Sequence, residues 1–419
     1  MATVTLADAH LARGLGVLTT RPHTGRRHQV RSQRLFGPVV ALLASFSLLS
    51  ACTSDSDGGD LADQAKSEAK APPAEISFAP ADGTKDVSVL EPVKITVRDG
   101  ELTEATVTNP AGKEVVGQLD AEKRTWTSGE VLGYAKTYTY TAKATNADGE
   151  ETELSGSFAT VAPAATPRAT INPGDNATVG VGMPVSIKFP EGPVTDKAAV
   201  EKALKVETSQ PVEGSWGWLN DQQVDWRPKE YWPANTQVNV TAKLYGLNYG
   251  GGAYGKADLT TVFTIGRNQV VKVHTPDHTM KVYRDGQLQA TYPSSNGKDA
   301  DPNLNTPNGT VIVMSKEPVG DFSNPRYGYT NVKKKWAVRI SNHGEFIHEN
   351  EENRPNIGRA NTSHGCINLY ESDARKYFDS ALIGDPVEIT GSRANFPTTS
   401  DVYDWLIPWS QWQTMSALA

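Results

Sequence analysis

Gln237-Val238-Asn239-Val240-Thr241-Ala242 alternates apolar and polar side chains along its whole length, the period of a half-buried β-strand. One hundred residues upstream, Thr137-Tyr138-Thr139-Tyr140-Thr141-Ala142 does the same. A tyrosine-containing corner and a tryptophan, Trp126 or Trp226, precede each run. Further back, Ala79-Pro80-Ala81-Asp82 with Val93-Lys94-Ile95-Thr96-Val97 answers to Asn172-Pro173-Gly174-Asp175 with Val185-Ser186-Ile187-Lys188-Phe189. The offset is 92 residues between Val93 and Val185 and 100 between Trp126 and Trp226, so the pattern describes two related domains rather than a solenoid.

Short period-2 strands separated by Gly, Pro and Asp turns predict immunoglobulin-like β-sandwiches without the usual disulfide. Val161-Ala162-Pro163-Ala164-Ala165-Thr166-Pro167 is the linker, which places the domains at 75–162 and 163–266. In the second, Asp196 to Leu204 has helical character. Trp216, Trp218, Trp226, Tyr231 and Trp232 form an aromatic group that suits either core and interface packing or a sugar platform. Gly250-Gly251-Gly252 is a hairpin tip and not a phosphate loop, since nothing helical follows it.

A third domain covers 267–391. Its strands are Asn268 to His274, Thr279 to Leu288 with an Asp285-Gly286 turn, Thr310 to Met314, Lys335 to Ile340, Gly344 to His348 and Asp385 to Thr390. Pro293 to Gly309 and Lys316 to Asn331 read as long loops, and loops of that length in a compact domain usually serve function, as a lid would. After Cys366, Ser372 is placed to cap a helix carrying Ala374, Tyr377, Phe378, Ala381 and Leu382 on one face, with Gly384 as its stop. Residues 392–419 form a Trp-rich extension. The expected fold is mainly β: two tandem sandwiches, then a β-rich domain with one or two short helices.

Thr362-Ser363-His364-Gly365-Cys366-Ile367-Asn368-Leu369 carries the chemistry. It holds one of two cysteines in 419 residues, with His364 beside it and His348 ending an apolar run 18 residues earlier. A thiol with a histidine base is a minimal nucleophilic pair. Gly365 permits a tight turn whose backbone N–H groups can hold an oxyanion. His348 is the better base; His364 shapes the turn, and the Asn368 amide can orient it. A metal would want more ligands than one Cys and two His, although Glu349, Glu351 and Glu352 stand nearby. No metal and no cofactor are expected.

The other cysteine is Cys52. Arg26, Arg27, Arg31 and Arg34 precede the apolar run Leu35 to Ala51, and Leu49-Ser50-Ala51-Cys52 resembles a bacterial lipobox. Residues 1–52 therefore read as a lipoprotein signal ending at a lipidated Cys52, and 53–74 as a polar tether. The chain is expected outside the cytoplasm, anchored to the outer face of the membrane, with the sandwiches as spacers reaching outward. In that setting Cys366 has no disulfide partner within the mature chain, which favours reactivity over framework. Residues 1–51 carry six Arg and one Asp, and the remainder has 35 basic and 47 acidic residues, a net of −12 that argues against nucleic-acid binding. The 38% hydrophobic and 21% charged composition, with 36 Gly and 26 Pro, suits a turn-rich folded protein.

His348 followed, after the intervening segment, by Ser363-His364-Gly365-Cys366-Ile367-Asn368 is similar to the signature of bacterial L,D-transpeptidases. The likeness runs from about Asn268 to the C-terminus, and Asp404-Trp405-Leu406-Ile407-Pro408-Trp409 resembles the extension of actinobacterial members. The order of lipobox, two immunoglobulin-like domains and catalytic domain resembles those enzymes too. The resemblance implies that Cys366 attacks the carbonyl between diaminopimelate and the terminal D-Ala of a tetrapeptide stem. His348 would be base and then acid, oriented by the backbone carbonyl of Glu349. The amides of Gly365 and Cys366 would form the oxyanion hole, assisted by Tyr329. Met314, Ser363 and Asn368 would line the substrate side. It further implies peptide stems as donor and acceptor, carbapenem β-lactams as covalent inhibitors, and a monomer. Glu349 stands where close relatives usually carry Ser, which bears on the base and on specificity. An L,D-carboxypeptidase or a non-catalytic wall-binding scaffold are the alternative readings.

Overall fold

Thr137–Thr145 is a strand whose even-numbered residues Tyr138, Tyr140, Ala142 and Ala144 are buried, so alternation alone sets the inward face. The computed structural model describes residues 70–324, 328–398 and 404–419. Cys52 and the segment read as signal and tether up to residue 69 lie outside them.

In the first sandwich, one sheet runs Glu75–Ala79, Lys94–Arg98, Thr125–Ser128, Gly117–Leu119 in spatial order. The other runs Glu101–Thr108, Thr137–Thr145, Glu151–Ala159. The second sandwich repeats this plan strand for strand. Thr170–Asn172, Val185–Lys188, Gln223–Pro228 and Gly214–Asn220 make one sheet. Leu204–Thr208, Gln237–Ala242 and Leu259–Ile265 make the other, with the short parallel strand Thr178–Val179 added at its edge. Packing repeats as well. A Cβ on Gly117 would lie 2.1 Å from Cζ2 of Trp126, and one on Gly214 would lie 2.0 Å from Cζ2 of Trp226. Each tryptophan ring therefore needs a glycine on the neighbouring strand.

The tryptophans of the second sandwich, Trp216, Trp218, Trp226 and Trp232, are buried in its core, and Tyr231 packs against them. Core packing is thus what this aromatic group does. The predicted helix is Lys197–Lys202, capped by Asp196, whose carboxylate accepts from the Ala199 N–H at 3.0 Å. Tyrosine hydroxyls join the two sandwiches: Tyr134 donates to the Gly255 carbonyl at 2.8 Å and Tyr245 to that of Leu132 at 2.6 Å.

The third unit has a five-stranded sheet in the order Gln287–Pro293, Thr279–Arg284, Gln269–His274, Pro386–Thr390, Gly309–Ile312. A four-stranded sheet runs Ser315–Asn324, Tyr329–Arg339, Phe346–Glu349, Ile367–Leu369. One apolar cluster with Val273, Ile347, Ile367, Tyr377 and Ile389 joins both sheets and the helix Glu371–Ser380. Two expectations need correction. Within Lys316 to Asn331, the residues up to Asn324 and from Tyr329 on are paired antiparallel strands rather than loop. The edge strand tolerates Pro318 because the pairing skips from Glu317↔Ala337 to Val319↔Lys335. Nor does Ser372 cap the helix: Tyr370 is the N-cap residue, and the Glu371 N–H donates to the Glu351 carboxylate at 2.8 Å. A carboxylate from a distant turn supplies the cap.

The second sandwich meets this unit backbone to backbone. Gly180 N–H donates to the Ile383 carbonyl at 2.7 Å, and Gly182 N–H to that of Gly384 at 2.9 Å. The C-terminal segment then returns to the sandwich, where Trp412 is buried and its indole donates to the Ser215 carbonyl at 2.9 Å. No helix among the described residues is long and apolar enough to cross a membrane.

Candidate active site

The 17 residues between His348 and Cys366 are the crossover between two parallel strands, a connection that parallel pairing requires to be long. The register pairs Ile347 with Ile367, His348 with Asn368 and Glu349 with Leu369. Paired residues of a sheet share a face, and side chains two apart on one strand share it too. His348 and Asn368 are therefore placed on one side, where Cys366, just ahead of the second strand, lines the same cleft, while Ile347, Ile367 and Leu369 enter the core on the other. The side bearing the thiol opens into a cleft of about 350 Å³, lined among others by Phe322, Lys334, His348, His364, Cys366 and Asn368.

His348 is buried, and its Nδ1 lies 2.6 Å from the carbonyl oxygen of Glu349. A carbonyl only accepts, so Nδ1 carries the hydrogen and Nε2 keeps the lone pair of a base. Phe322 of the hairpin stands over the imidazole, ring centroids 5.0 Å apart. Burial pushes the His348 pKa down to about 4, with the Lys334 charge adding to it against the opposing Glu349 carbonyl bond. Burial pushes the half-buried Cys366 thiol up to about 12, only partly offset by the backbone N–H of Phe346. At neutral pH the pair rests as thiol and neutral imidazole, so the thiolate forms as the base takes the proton rather than beforehand.

Ser363 and Gly365 build the turn. Ser363 Oγ donates to the Cys366 carbonyl at 2.6 Å and accepts from the Gly365 N–H at 3.2 Å. Gly365 has φ +122°, which a side chain would strain. Ser363 thus holds the nucleophile's turn as well as lining the cleft. The polar loop after Pro293 cradles this turn: Thr306 Oγ1 donates to the Gly365 carbonyl at 2.8 Å, and Ser363 N–H donates to the Asn296 carbonyl at 3.0 Å. Asn368 is clamped through its backbone to Ser295, and its buried side-chain oxygen has no donor among the described residues.

One expected residue, Met314, is not among those lining this cleft. Met314 lines a different groove of about 360 Å³, between the second sandwich and the third unit, beside Met183, Ile312 and Trp405. Tyr329 opens the strand Tyr329–Arg339 opposite Asn324, and its side chain lies outside the described residues. His364 is exposed at the rim. The Glu349 carboxylate turns to backbone, accepting from the N–H groups of Lys335 and Glu351, each at 3.1 Å. Sequence reading missed Lys334, Asn350, Glu352 and Asn353 on the cleft wall. A signal was present: Lys333-Lys334-Lys335 lies in a strand, where alternation turns the middle lysine inward.

Residues 268–389 match the model of the L,D-transpeptidase catalytic domain, and 84–248 that of a bacterial Ig domain. The chain is 44% identical over 358 residues to L,D-transpeptidase 5 of Mycobacterium tuberculosis, covering 84% of this chain and 79% of that one. It belongs to the L,D-transpeptidase family. L,D-transpeptidase 2 of the same species is 36% identical, covering 82% of this chain and 85% of the relative. Among solved structures, L,D-transpeptidase LdtMt1 in complex with imipenem matches at 32% identity and TM-score 0.46, over 54% of this chain and 99% of that one. The two matches fall on the sandwich region and on the domain that holds His348 and Cys366. The Trp-rich tail packed on the second sandwich lies beyond the matched catalytic segment.

Proposed function

We propose that this enzyme joins peptidoglycan stems by 3→3 cross-links through a thioester on Cys366. The observation that carries the reading is the parallel register of His348 with Asn368, which puts base and thiol on one face of one cleft. Cys366 Sγ attacks the carbonyl joining the L-centre of diaminopimelate to D-Ala, and its proton passes to His348 Nε2. The amides of Gly365 and Cys366 are the donors for the developing oxyanion, the first exchanging its long bond to Ser363 for a stronger charged acceptor. Collapse breaks the C–N bond, His348 returns the proton to the leaving amine, and D-Ala departs. The side-chain amine of a second stem then attacks the thioester, giving the amide and restoring the thiol. Opening of a β-lactam ring by the same sulfur gives a stable acyl-enzyme, so carbapenems are inhibitors.

Incubation with a disaccharide-tetrapeptide, followed by mass spectrometry, tests this. A dimer lacking one D-Ala is expected, and Cys366→Ala should abolish both the dimer and the carbapenem adduct. Tripeptide alone would replace transfer by hydrolysis; an adduct persisting in Cys366→Ala would remove the sulfur from the mechanism. Placement outside the cell rests on the stretch Leu35 to Cys52. We take Cys52 as lipidated and the enzyme as a membrane-anchored monomer, and labelled fatty acid should be lost in Cys52→Ala.

A further inference from the structure

Lys334 is a charged side chain in an unusual position. It is 8% exposed, yet it lines the same cleft as Cys366 and His348. Among the described residues lining that cleft it is the one Lys or Arg. Its neighbours in the run point away: Lys333 pairs with Asp321 and Lys335 with Glu371 on the outside of the hairpin. Lys334 Nζ donates to Asn350 Oδ1 at 2.9 Å and to Glu352 Oε2 at 3.2 Å.

These two partners differ in kind. Asn350 is a neutral fixture at the end of the strand bearing His348. Glu352 is the counter-ion, and its side chain is 88% exposed while that of Lys334 is 10% exposed. A buried ammonium needs an anion. An anion standing almost wholly in solvent gains little from the pairing and exchanges readily. The lysine is therefore the fixed member of the pair, whereas the exposed carboxylate on it is replaceable. Asn353, next to Glu352, also lines the cleft, so the space beside the ammonium is continuous with the space above the thiol.

Resting on the transpeptidase reading above, we propose that Lys334 is the carboxylate-recognising residue of the substrate cleft, with Glu352 its resident substitute anion that a stem carboxylate displaces. The peptide stem offers two such groups, the terminal D-Ala carboxylate and the free carboxylate at the second centre of diaminopimelate. Either one takes over the ammonium and the Asn350-supported geometry, and Glu352 swings into water. Lys334 then orients the stem by a charge-assisted hydrogen bond rather than taking part in bond making.

The test uses the full chain in detergent carrying Cys366→Ala, so that stems bind without reacting. Binding is measured for the free stem, the stem amidated at the terminal D-Ala and the stem amidated at diaminopimelate. One amidated stem should bind about tenfold more weakly than the free stem, the order expected for a hydrogen bond to a charged group, and it names the carboxylate. Adding Lys334→Met should erase that preference. Adding Glu352→Gln, at an exposed position, should instead tighten the free stem by removing the competitor. A preference that survives Lys334→Met, or a Glu352→Gln variant that weakens binding, overturns the proposal. Should Lys334→Met fail to fold, Glu352→Gln decides alone. Should no stem bind and wild type release no D-Ala, the transpeptidase reading itself fails. N-acetyl-D-alanine and its amide then probe Lys334 directly, and equal binding of the two overturns the cation's role.

Discussion

The imidazole of His348 donates through Nδ1 to the backbone carbonyl of Glu349, the residue that follows it, at 2.6 Å. The orienting group is thus main chain, and no carboxylate is needed to choose the tautomer. Because burial holds His348 near 4, the base stays neutral well below the ordinary histidine range. Acylation of Cys366 by a carbapenem should therefore lose rate only as pH falls towards about 4. A fall centred near 6.5 would show a base in a different environment. Iodoacetamide alkylation should likewise show no thiolate plateau between pH 6 and 8, since the thiol sits near 12.

Glu349 acts on the scaffold around the base. Its carboxylate spans the N–H groups of Lys335 and Glu351, fixing the turn after His348 to the hairpin. Glu349→Ala should cost about 1–3 kcal/mol, the effect of leaving two part-buried donors unpaired, read by thermal or denaturant unfolding. Its acid limb for acylation should stay with that of wild type. A shift of the limb without loss of stability would assign the carboxylate to the chemistry.

Trp412 fills the contact between the C-terminal segment and the second sandwich, lying against Gly217 and buried completely. Arg227 sits among Trp405, Trp409 and Trp412, with cation to ring-centroid distances of 4.7, 5.2 and 4.9 Å, and donates to the Ile407 carbonyl at 2.7 Å. Trp412→Ala should destabilise by about 3–5 kcal/mol. Protease sensitivity of the last residues should rise with it; an unchanged unfolding midpoint would show that the tail is merely laid on the surface.

Asp225 and Asp404 meet in the same interface, both buried. Among the described residues neither carboxylate oxygen of Asp404 has a hydrogen-bond partner, and a proton held between it and Asp225 would supply one. Burial lifts Asp225 to about 7, and burial together with the neighbouring Asp225 charge lifts Asp404 well above the carboxylate range. Folded-state values raised above the unfolded 3.8 mean that the folded chain binds the extra proton. The stabilisation is present at acid pH and lost as pH rises through about 7. The melting-temperature advantage of wild type over Asp404→Asn should accordingly shrink between pH 5 and pH 8. A pH-independent difference would mean that no proton is shared.

Periodicity made the sandwiches legible, because inward and outward residues alternate without regard to what lies across the core. The thiol and its base were legible by residue type, a rare cysteine near histidines in an order similar to a family signature, whereas the parallel pairing that joins their strands was not read. The hairpin at 315–339 was not. Its Pro, Gly and Asn content reads as loop, and only pairing along an edge accommodates Pro318 and the positive φ of Trp336 opposite it. The Glu351 cap was hidden in another way, since it joins positions 20 apart in sequence. Met314 went to the wrong groove because a strand end serves two surfaces, and periodicity does not say which lies nearer the thiol. Lys334 escaped because a lysine run reads as a solvated face unless alternation is applied to it.

The backbone bonds from Gly180 and Gly182 to Ile383 and Gly384, with the tail's return to Arg227 and Trp412, attach the catalytic unit to its neighbour at two separate places. A body held at one point can swivel; held at two, it cannot. The mouth of the cleft consequently keeps a constant bearing on the second sandwich. On the function proposed above, the direction from which a peptide stem must approach would then be decided by how the sandwiches stand, and turning them would aim the enzyme.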